Sequence, residues 1–313
     1  MSDFQYNKLT LLMCARLAAP HTWPGPSVLT TVFGGVFAAS QGYAFDPLIW
    51  CVLLVCAVAA QSAVNTLNDW ADYRAGTDTV ENSDDPTDAV LVYEHPNPKH
   101  VLALGVGYML VALVAGIIAT VWSGSALPLV IGAIGAVFIV CYSSGKLPVS
   151  YFPVGEAVSG IVMGCLIPLA DIVIFAAHGS AAGVFDLAIM TPLGWANALV
   201  ATAPFVLGIA LVMATQNCSD IERDKPVGRK TAAVVMGRER FRRAYRVCIV
   251  LWIACMLHLV FWGFGAAALW PAIVCLVLGI GTIRFTLTAD DYMILHAWVK
   301  ANKPDYISEK YPD

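Results

Sequence analysis

Residues 48–78 read LIWCVLLVCAVAAQSAVNTLNDWADYRAGTD, an apolar run that becomes polar near its end. The part Leu48–Leu67 carries no charged residue, and about 20 apolar residues in a helix are enough to cross the roughly 30 Å hydrocarbon core of a bilayer. The polar part carries amide and carboxylate side chains at helical spacing. This stretch therefore predicts a membrane-spanning helix that ends in a cluster of acidic groups.

The rest of the chain repeats the apolar part of this pattern. Of 313 residues, 58% are hydrophobic and 13% are charged, and the mean hydropathy is +0.71. In soluble domains charged residues make up about a quarter of the chain, so we predict an all-α fold, a polytopic bundle of about eight to nine transmembrane helices in a lipid bilayer. Eight spans are predicted: Ser27–Phe45, Leu48–Leu67, His100–Trp122, Ala126–Tyr142, Val154–His178, Trp195–Thr215, Ala244–Gly263 and Ala266–Phe285.

We expect residues 1–313 to form one membrane-embedded domain. Residues 1–26 are predicted as an interfacial lead-in, because no small-residue cleavage site follows their short apolar run. Residues 68–99 and 217–243 are predicted as Asp-rich cytosolic loops, and residues 290–313 as a polar C-terminal segment. The nine cysteines form no CxxC pair, so a disulfide framework or zinc site has no support. We expect no nucleic-acid partner.

Positive charge lies on one side of the membrane if the spans alternate from a cytosolic N-terminus. The four loops on the opposite side, near Gly42, Ser123, Ser180 and Gly263, contain no Lys or Arg. Cytoplasmic loops collect these residues, so the charged side is predicted to face the cytosol, across a bacterial or archaeal cytoplasmic membrane. The cations on that side are Lys8, Arg16, Arg74, Lys99, Lys146, those from Arg223 to Arg246, Lys300, Lys303 and Lys310.

The first acidic cluster, Asn65–Asp78, follows the second span and is called the first motif below. Asn65, Asn68, Asp69 and Asp72 lie at positions i, i+3, i+4 and i+7, so a helix places them on one stripe. Carboxylates this close repel each other unless a cation lies between them. Amide and carboxylate oxygens suit Mg²⁺, which binds a few carboxylates together with substrate phosphates.

A second motif, Asn217–Lys230, follows the sixth span. Asn217, Asp220 and Asp224 again share one helical face. Carboxylates that hold a metal, flanked by cations that hold oxyanions, are what diphosphate binding requires. Two such helix ends facing each other across a bundle would clamp a Mg²⁺-diphosphate between them. The flanking cations are Arg223, Lys225, Arg229 and Lys230.

Other interpretations of these residues stay open. The acids could be solvated helix ends, although two clusters led by Asn at the inner ends of even-numbered spans disfavour this. An ion or proton transporter also uses intramembrane carboxylates, but these acids lie at the membrane edge with basic neighbours. Lys146 and Tyr142, at the inner end of the fourth span, are either interfacial residues or ligands of a diphosphate.

At both motifs the sequence resembles the UbiA superfamily of intramembrane prenyltransferases. Asn68-x-x-x-Asp72 matches the first motif of that family, with Asp69 as its frequent extra acid. Asn217-x-x-Asp220-x-x-x-Asp224 matches the second motif. The likeness runs from about residue 20 to about residue 237.

Three stretches are similar to the branch of this superfamily that makes menaquinone. They are Asp72-Tyr-Arg-Ala-Gly76-Thr-Asp78 with Ser83-Asp84-Asp85 after it, the second motif with Gly228, Thr231 and a Met-Gly pair, and Tyr142-Ser-Ser-Gly145-Lys-Leu-Pro148 with Gly155-Glu156 after it. The Arg-Pro-x-Thr that opens these proteins is Ala19-Pro20-His21-Thr22 here. Arg16, one turn earlier, is the candidate to replace that arginine.

The resemblance implies an enzyme that transfers an allylic polyprenyl group from its diphosphate to an aromatic acceptor. In the menaquinone branch the acceptor is 1,4-dihydroxy-2-naphthoate, and 4-hydroxybenzoate or another small molecule is the alternative. Mg²⁺ is the implied cofactor, with Asn65, Asn68, Asp69, Asp72, Asp220 and Asp224 as predicted ligands. The predicted catalytic residues are Asp72, Asp220, Asp224 and Lys146. The predicted substrate-binding residues are Arg74, Asp78, Tyr142, Asn217, Arg223, Lys225, Arg229 and Lys230.

Overall fold

The computed structural model of the chain describes residues 6–80, 89–143, 148–226 and 228–264, and this part is nearly all helical. Short 3₁₀ or π-helical turns lie at Pro20–Thr22, Pro24–Leu29, Val149–Tyr151, Val162–Leu166 and Leu187–Ile189. The α-helices are α1 (Leu11–Ala18), α2 (Thr30–Ser40), α3 (Pro47–Ala75), α4 (Val90–Tyr93), α5 (Pro98–Ser123), α6 (Leu127–Ser143), α7 (Gly155–Ile161), α8 (Ile167–Ala177), α9 (Pro192–Ser219), α10 (Ile221–Asp224), α11 (Ala232–Met236) and α12 (Arg238–Phe264).

Five helical segments within the described residues are long and apolar enough to cross a membrane. They match the second, third, fifth, sixth and seventh predicted spans, and the fifth runs through α7, a π-helical turn and α8. The five segments are Pro47–Ala75, Pro98–Ser123, Gly155–Ala177, Pro192–Ser219 and Arg238–Phe261.

The other three predicted spans are less regular or lie outside the described residues. The fourth forms α6, an apolar helix of 17 residues. The first is a π-helical turn at Pro24–Leu29 that continues directly into α2. Residues 266–285 and 290–313 lie outside the described part. The number of eight to nine spans therefore stays a prediction.

The long spans begin at similar capping sequences. The side chains of Asp46, Asn97 and Thr191 each accept a hydrogen bond from a backbone N–H of the first turn, and each is followed by proline. Proline fits the first helical position because its missing N–H has no partner there in any helix. The local sequence therefore sets where α3, α5 and α9 start, independently of the apolar pattern.

The chain divides into two compact units, Met1–Pro148 with Ala170–Ile189, and Val149–Leu169 with Met190–Asp313. In the first unit α3 packs along α5, and a Cβ on Gly105 would lie 2.7 Å from Leu67 Cδ2. Any larger residue at that crossing would therefore force the Leu67 side chain to move. Ala38, Ile49, Leu53, Ala119, Ile174 and Phe175 form a second buried cluster of this unit. The single domain predicted for the chain stays a prediction.

In the second unit α7 and the following π-helical turn lie directly against α9. A Cβ on Gly160 would lie 2.5 Å from the Val206 carbonyl oxygen, and one on Gly164 would lie 2.4 Å from the Val206 nitrogen. Small residues allow such close contact between membrane helices. The other side of α9 packs on α11 and α12 through an apolar cluster of Leu211, Ala214, Cys218, Ile221, Ala233, Phe241, Tyr245 and Ile249. These contacts hold the C-terminal end of α9, where the second motif begins.

Candidate active site

The first motif occupies the last turns of α3, which continue beyond the apolar span. Asn68, Asp69 and Asp72 are half-buried there. The Asn68 amide Nδ2 donates to Asp72 Oδ2 over 3.3 Å, as residues four apart on one helical face can do. The structure therefore brings these two predicted metal ligands into contact.

A glycine turn returns the chain toward Asp72. Gly76 ends α3 with φ 73°, a left-handed conformation that glycine adopts without steric cost. The Asp72 carbonyl then accepts from the backbone N–H of Thr77 over 3.0 Å and from that of Asp78 over 3.4 Å. Asp78, predicted to bind substrate, thus lies beside the end of the helix, and Arg74 is exposed.

Asn65 connects the first motif to the N-terminal segment. Its amide Nδ2 donates to the Ala18 carbonyl over 3.0 Å and to Thr22 Oγ1 over 2.9 Å. Its Oδ1 accepts from Gln61 Nε2 over 3.2 Å. These contacts give Asn65 a structural task, and its role as a metal ligand stays a prediction.

Helix α1 packs against the end of α3 that carries the first motif. Trp70 and Tyr73 of α3 pack against a buried cluster of Met13, Leu17, Val90, Leu91 and Val101. Arg16 forms an ion pair with Glu94 of the same unit. Arg16 thus already has a carboxylate partner in this chain, and its predicted role in place of the family's arginine stays a prediction.

The second motif continues α9 across a slight irregularity. Asp220 ends α9 with φ −98° and ψ 10°, and α10 follows immediately. The backbone N–H of Asp224 donates to the Asp220 carbonyl over 2.8 Å. Asp224 is buried, with 3% of its surface exposed, whereas Asn217 and Asp220 are half-buried. A charge this buried requires polar partners.

One of these partners is Arg229, on the loop that follows α10. Arg229 Nη1 lies 3.7 Å from Asp224 Oδ1, and its backbone N–H donates to the Asp224 carbonyl over 3.0 Å. The guanidinium carbon also lies 5.2 Å from the centre of the Tyr151 ring. The structure therefore places a predicted diphosphate-binding cation beside a predicted metal ligand, while Lys225 and Lys230 are exposed.

Three predicted residues are described less fully or not at all. Tyr142 is half-buried in the last turn of α6. The backbone of Arg223 lies in α10, but its side chain is outside the described part. Lys146 lies outside the described residues altogether, so its two interpretations stay open.

Glu156 is a site residue that helical spacing did not reveal. It lies at the start of α7 with 8% of its surface exposed, and its Oε1 accepts from Asn217 Nδ2 over 2.9 Å. The two residues are 61 positions apart in the chain, so no periodic pattern could pair them. Two signals were available. Gly155-Glu156 belongs to a stretch similar to the menaquinone branch, and a lone carboxylate at the inner end of an apolar span is expected to have a specific partner.

An ion pair holds the beginning of α12 against the second motif. Arg238 Nη1 and Nη2 donate to the Glu222 carboxylate over 3.1 and 2.6 Å, and Nη2 also donates to the Cys218 carbonyl over 3.3 Å. Burial by itself would raise the pKa of Glu222, but the hydrogen bonds and charge of Arg238 outweigh burial. The pKa of Glu222 is therefore lowered from its ordinary value.

This lowered pKa predicts a small pH-dependent stabilisation. A carboxylate whose pKa is depressed by folding stabilises the protein above its unfolded pKa, and the stabilisation is lost as the pH falls through the folded value. Because the pair is partly exposed, we expect Glu222→Gln to lower the melting temperature at pH 7 by about 1–2 °C. The difference should decline as the pH is lowered from 7 toward about 3, because protonation of Glu222 in the folded protein removes the charge that Arg238 binds. Thermal unfolding in detergent at both pH values measures it, and an equal difference at both would contradict the ion pair.

The donor set of the two motifs fits a hard divalent cation. Each motif supplies carboxylate oxygens and an asparagine side chain and contains no histidine, and Cys218 of the second motif is buried in the apolar cluster on α9. Within the described residues, His, Cys, Asp and Glu form no group of three or more that could hold a metal by themselves. Mg²⁺ keeps several waters and uses substrate phosphates as ligands, so a sparse set of protein oxygens is compatible with it.

Comparison with known proteins identifies the family. The model of the UbiA prenyltransferase family matches residues 27–292. A curated relative, the 1,4-dihydroxy-2-naphthoate octaprenyltransferase of Bacillus subtilis (strain 168), is 28% identical over 224 residues, which span 72% of this chain and 66% of that protein.

Solved structures show the same fold. A UbiA homolog from Archaeoglobus fulgidus bound to GPP and Mg²⁺ has a TM-score of 0.59 at 12% identity, over 91% of this chain and 86% of that one. The apo structure of a UbiA homolog from Aeropyrum pernix K1 has a TM-score of 0.60 at 15% identity, over 87% of this chain and 94% of that one. With its apolar spanning helices and a family match along most of its length, the chain is an integral membrane protein that belongs to the UbiA prenyltransferase family.

Proposed function

We propose that this protein transfers a polyprenyl group from its diphosphate to 1,4-dihydroxy-2-naphthoate, with Mg²⁺ as cofactor. The observation that carries the reaction type is the second motif, where Arg229 lies 3.7 Å from the buried Asp224. Such an arrangement provides ligands for both a metal and a diphosphate. The relative named as a 1,4-dihydroxy-2-naphthoate octaprenyltransferase supports the acceptor, and the GPP and Mg²⁺ in the Archaeoglobus fulgidus homolog support the donor and cofactor.

In this mechanism the protein binds the diphosphate and stabilises its departure. Asn68, Asp72, Asp220 and Asp224 would hold Mg²⁺, with Asp69 and Asp78 nearby and Asn65 as a further predicted ligand. Bound there, Mg²⁺ supplies Lewis-acid stabilisation of the negative charge that develops on the leaving group. The basic groups proposed to bind diphosphate oxygens are Arg74, Lys146, Arg223, Lys225, Arg229 and Lys230, together with the Tyr142 hydroxyl.

The apolar helices would protect the reacting carbon. Departure of diphosphate breaks the allylic C–O bond, and the resulting cation reacts with water unless water is excluded. The aromatic carbon then supplies the electron pair of the new C–C bond, and the acceptor's carboxylate leaves as CO₂. An interior lined by apolar spans suits this step, and the isoprenoid chain would enter it from the lipid.

A metal-removal assay tests enzyme against transporter. With radiolabelled polyprenyl diphosphate and 1,4-dihydroxy-2-naphthoate, we expect EDTA to stop transfer by the purified protein and excess Mg²⁺ to restore it. A panel that includes 4-hydroxybenzoate determines the acceptor, and faster transfer to that compound would replace the one proposed. Ion flux in sealed vesicles without a prenyl donor, combined with no transfer to any acceptor, would instead support the transporter.

A further inference from the structure

One short segment of the second unit contacts the second motif at two separate places. The turn Val149–Tyr151 lies against the Arg229 loop, where the Tyr151 carbonyl accepts from the Lys230 backbone N–H over 2.9 Å. A few residues later, at the start of α7, Glu156 accepts from Asn217. The same piece of chain therefore contacts an asparagine on α9 and an arginine beyond α10.

The contact with Glu156 determines the orientation of the Asn217 amide. An amide group is planar, so directing Nδ2 toward Glu156 turns Oδ1 to the other side. A carboxylate can only accept hydrogen bonds, which makes the reverse orientation unfavourable. Glu156 therefore selects the orientation in which Asn217 offers its carbonyl oxygen, the atom that binds a hard cation.

The contact with Tyr151 restricts the Arg229 guanidinium. A guanidinium over an aromatic ring is attracted to the face of the ring, and the hydrogen bond from Lys230 to the Tyr151 carbonyl holds the backbone of the two segments together. Asp224 Oδ1 lies 3.7 Å from Arg229 Nη1. The ring and the carboxylate together keep a long, flexible side chain at the second motif.

We propose that Glu156 and Tyr151 are positioning residues of the second motif, with separate tasks. Glu156 orients Asn217 as an oxygen ligand for the cation, and Tyr151 holds Arg229 in place for the diphosphate. The inference rests on the proposed function, and it assigns to Asn217 a contact with the metal in place of the diphosphate contact predicted from the sequence.

Two matched pairs of variants test the assignment. Glu156→Gln keeps the length and an oxygen that accepts from Asn217. Its amide can also donate to a reversed Asn217, so the productive orientation falls only to about half. Glu156→Asp keeps the charge, but its carboxylate is one methylene farther from Asn217. Tyr151→Phe keeps the ring, whereas Tyr151→Leu removes it. These are modest changes in size, and melting temperatures near that of the parent protein identify the folded variants.

The expected effects differ between the pairs. We expect Glu156→Asp to raise the Mg²⁺ concentration for half-maximal rate about tenfold, and Glu156→Gln to raise it by less than about threefold. We expect Tyr151→Leu to raise the KM for the prenyl diphosphate about tenfold at saturating Mg²⁺, and Tyr151→Phe to leave it within about twofold. A larger effect of Glu156→Gln than of Glu156→Asp, or of Tyr151→Phe than of Tyr151→Leu, would overturn the assignment. The assignment would also fail if Glu156→Asp and Tyr151→Leu each raised the Mg²⁺ requirement and the KM for the prenyl diphosphate by equal factors.

A binding measurement separates this inference from the proposed reaction. Thermal stabilisation by Mg²⁺ alone, and by inorganic diphosphate at saturating Mg²⁺, requires no acceptor and no turnover. We expect Glu156→Asp to weaken the first and Tyr151→Leu to weaken the second. If the parent protein transfers no prenyl group but shows both stabilisations with these changes, the proposed function fails and the positioning stands. If both stabilisations are unchanged in the variants, the positioning fails whatever the reaction.

Discussion

Alanine in place of Asp72 or Asp224 is expected to lower prenyl transfer by at least about a thousandfold while the protein remains folded. Asp72 joins the parts of the first motif, since its carboxylate accepts from Asn68 and its carbonyl from Thr77 and Asp78. Asp224 is buried beside Arg229. In the proposed mechanism each carboxylate binds the cation together with the leaving diphosphate, a task for which alanine has no group.

The measurement is the initial rate at saturating donor, acceptor and Mg²⁺, with melting temperature as the test of folding. Glu239→Ala is the matched control in the second unit, because Glu239 is highly exposed and contacts Arg242 on its own helix. We expect the control to retain the rate of the parent protein. Wild-type activity in Asp72→Ala or Asp224→Ala would show that the corresponding motif takes no part in transfer.

The extent of α3 shows what hydrophobic periodicity could and could not predict. The apolar run ends near Leu67, and the predicted span ended there, but the helix continues to Ala75. A span is limited by the thickness of the bilayer, whereas a helix is limited by its caps. Gly76 was visible in the sequence, and its left-handed conformation is the physical reason that α3 ends where it does.

The predicted stripe of the first motif is present on α3, but spacing alone could not separate two tasks within it. Asn68 contacts Asp72, whereas Asn65, one turn earlier, donates to Ala18 and Thr22. Both asparagines lie on the same helical face, so their spacing is equally compatible with either task. The difference arises because the segment that contains Ala18 and Thr22 packs on α3 beside Asn65. This is a tertiary contact, which residue spacing within one helix does not show.

Glu156 and Tyr151 illustrate the same limit in the second motif. The composition of Asn217–Lys230 was enough to propose a metal and diphosphate site, and the structure places Arg229 beside Asp224. The residues that support Asn217 and Arg229 come from a separate stretch of chain. Contacts between residues so far apart in the chain depend on how the helices pack. The periodicity of a single sequence contains no information on that packing.

The asymmetric distribution of Lys and Arg predicts an all-or-none difference in labelling between the two faces of the membrane. In right-side-out vesicles, a membrane-impermeant thiol reagent should label a cysteine at Ser180 and should not label one at Ala75 or Lys225. All three positions are exposed at the surface of the protein, so access depends on the side of the membrane. The variants are made in a background without the nine native cysteines, and detergent-solubilised samples should be labelled at all three positions.

The labelling pattern decides whether the diphosphate reaches the motifs from the cytosol. Ala75 lies within the first motif and Lys225 within the second, so protection of both places both motifs on the side to which Lys and Arg are confined. Labelling of both from outside would show an inverted topology and would contradict the cytosolic site. Labelling of only one would show that the two motifs lie on opposite faces, and the reaction could not then use both on one diphosphate.

With Ala75 and Lys225 protected, a tag placed after Asp313 reports the remaining crossings, because an even number of spans returns the C-terminus to the cytosol and a ninth exposes it.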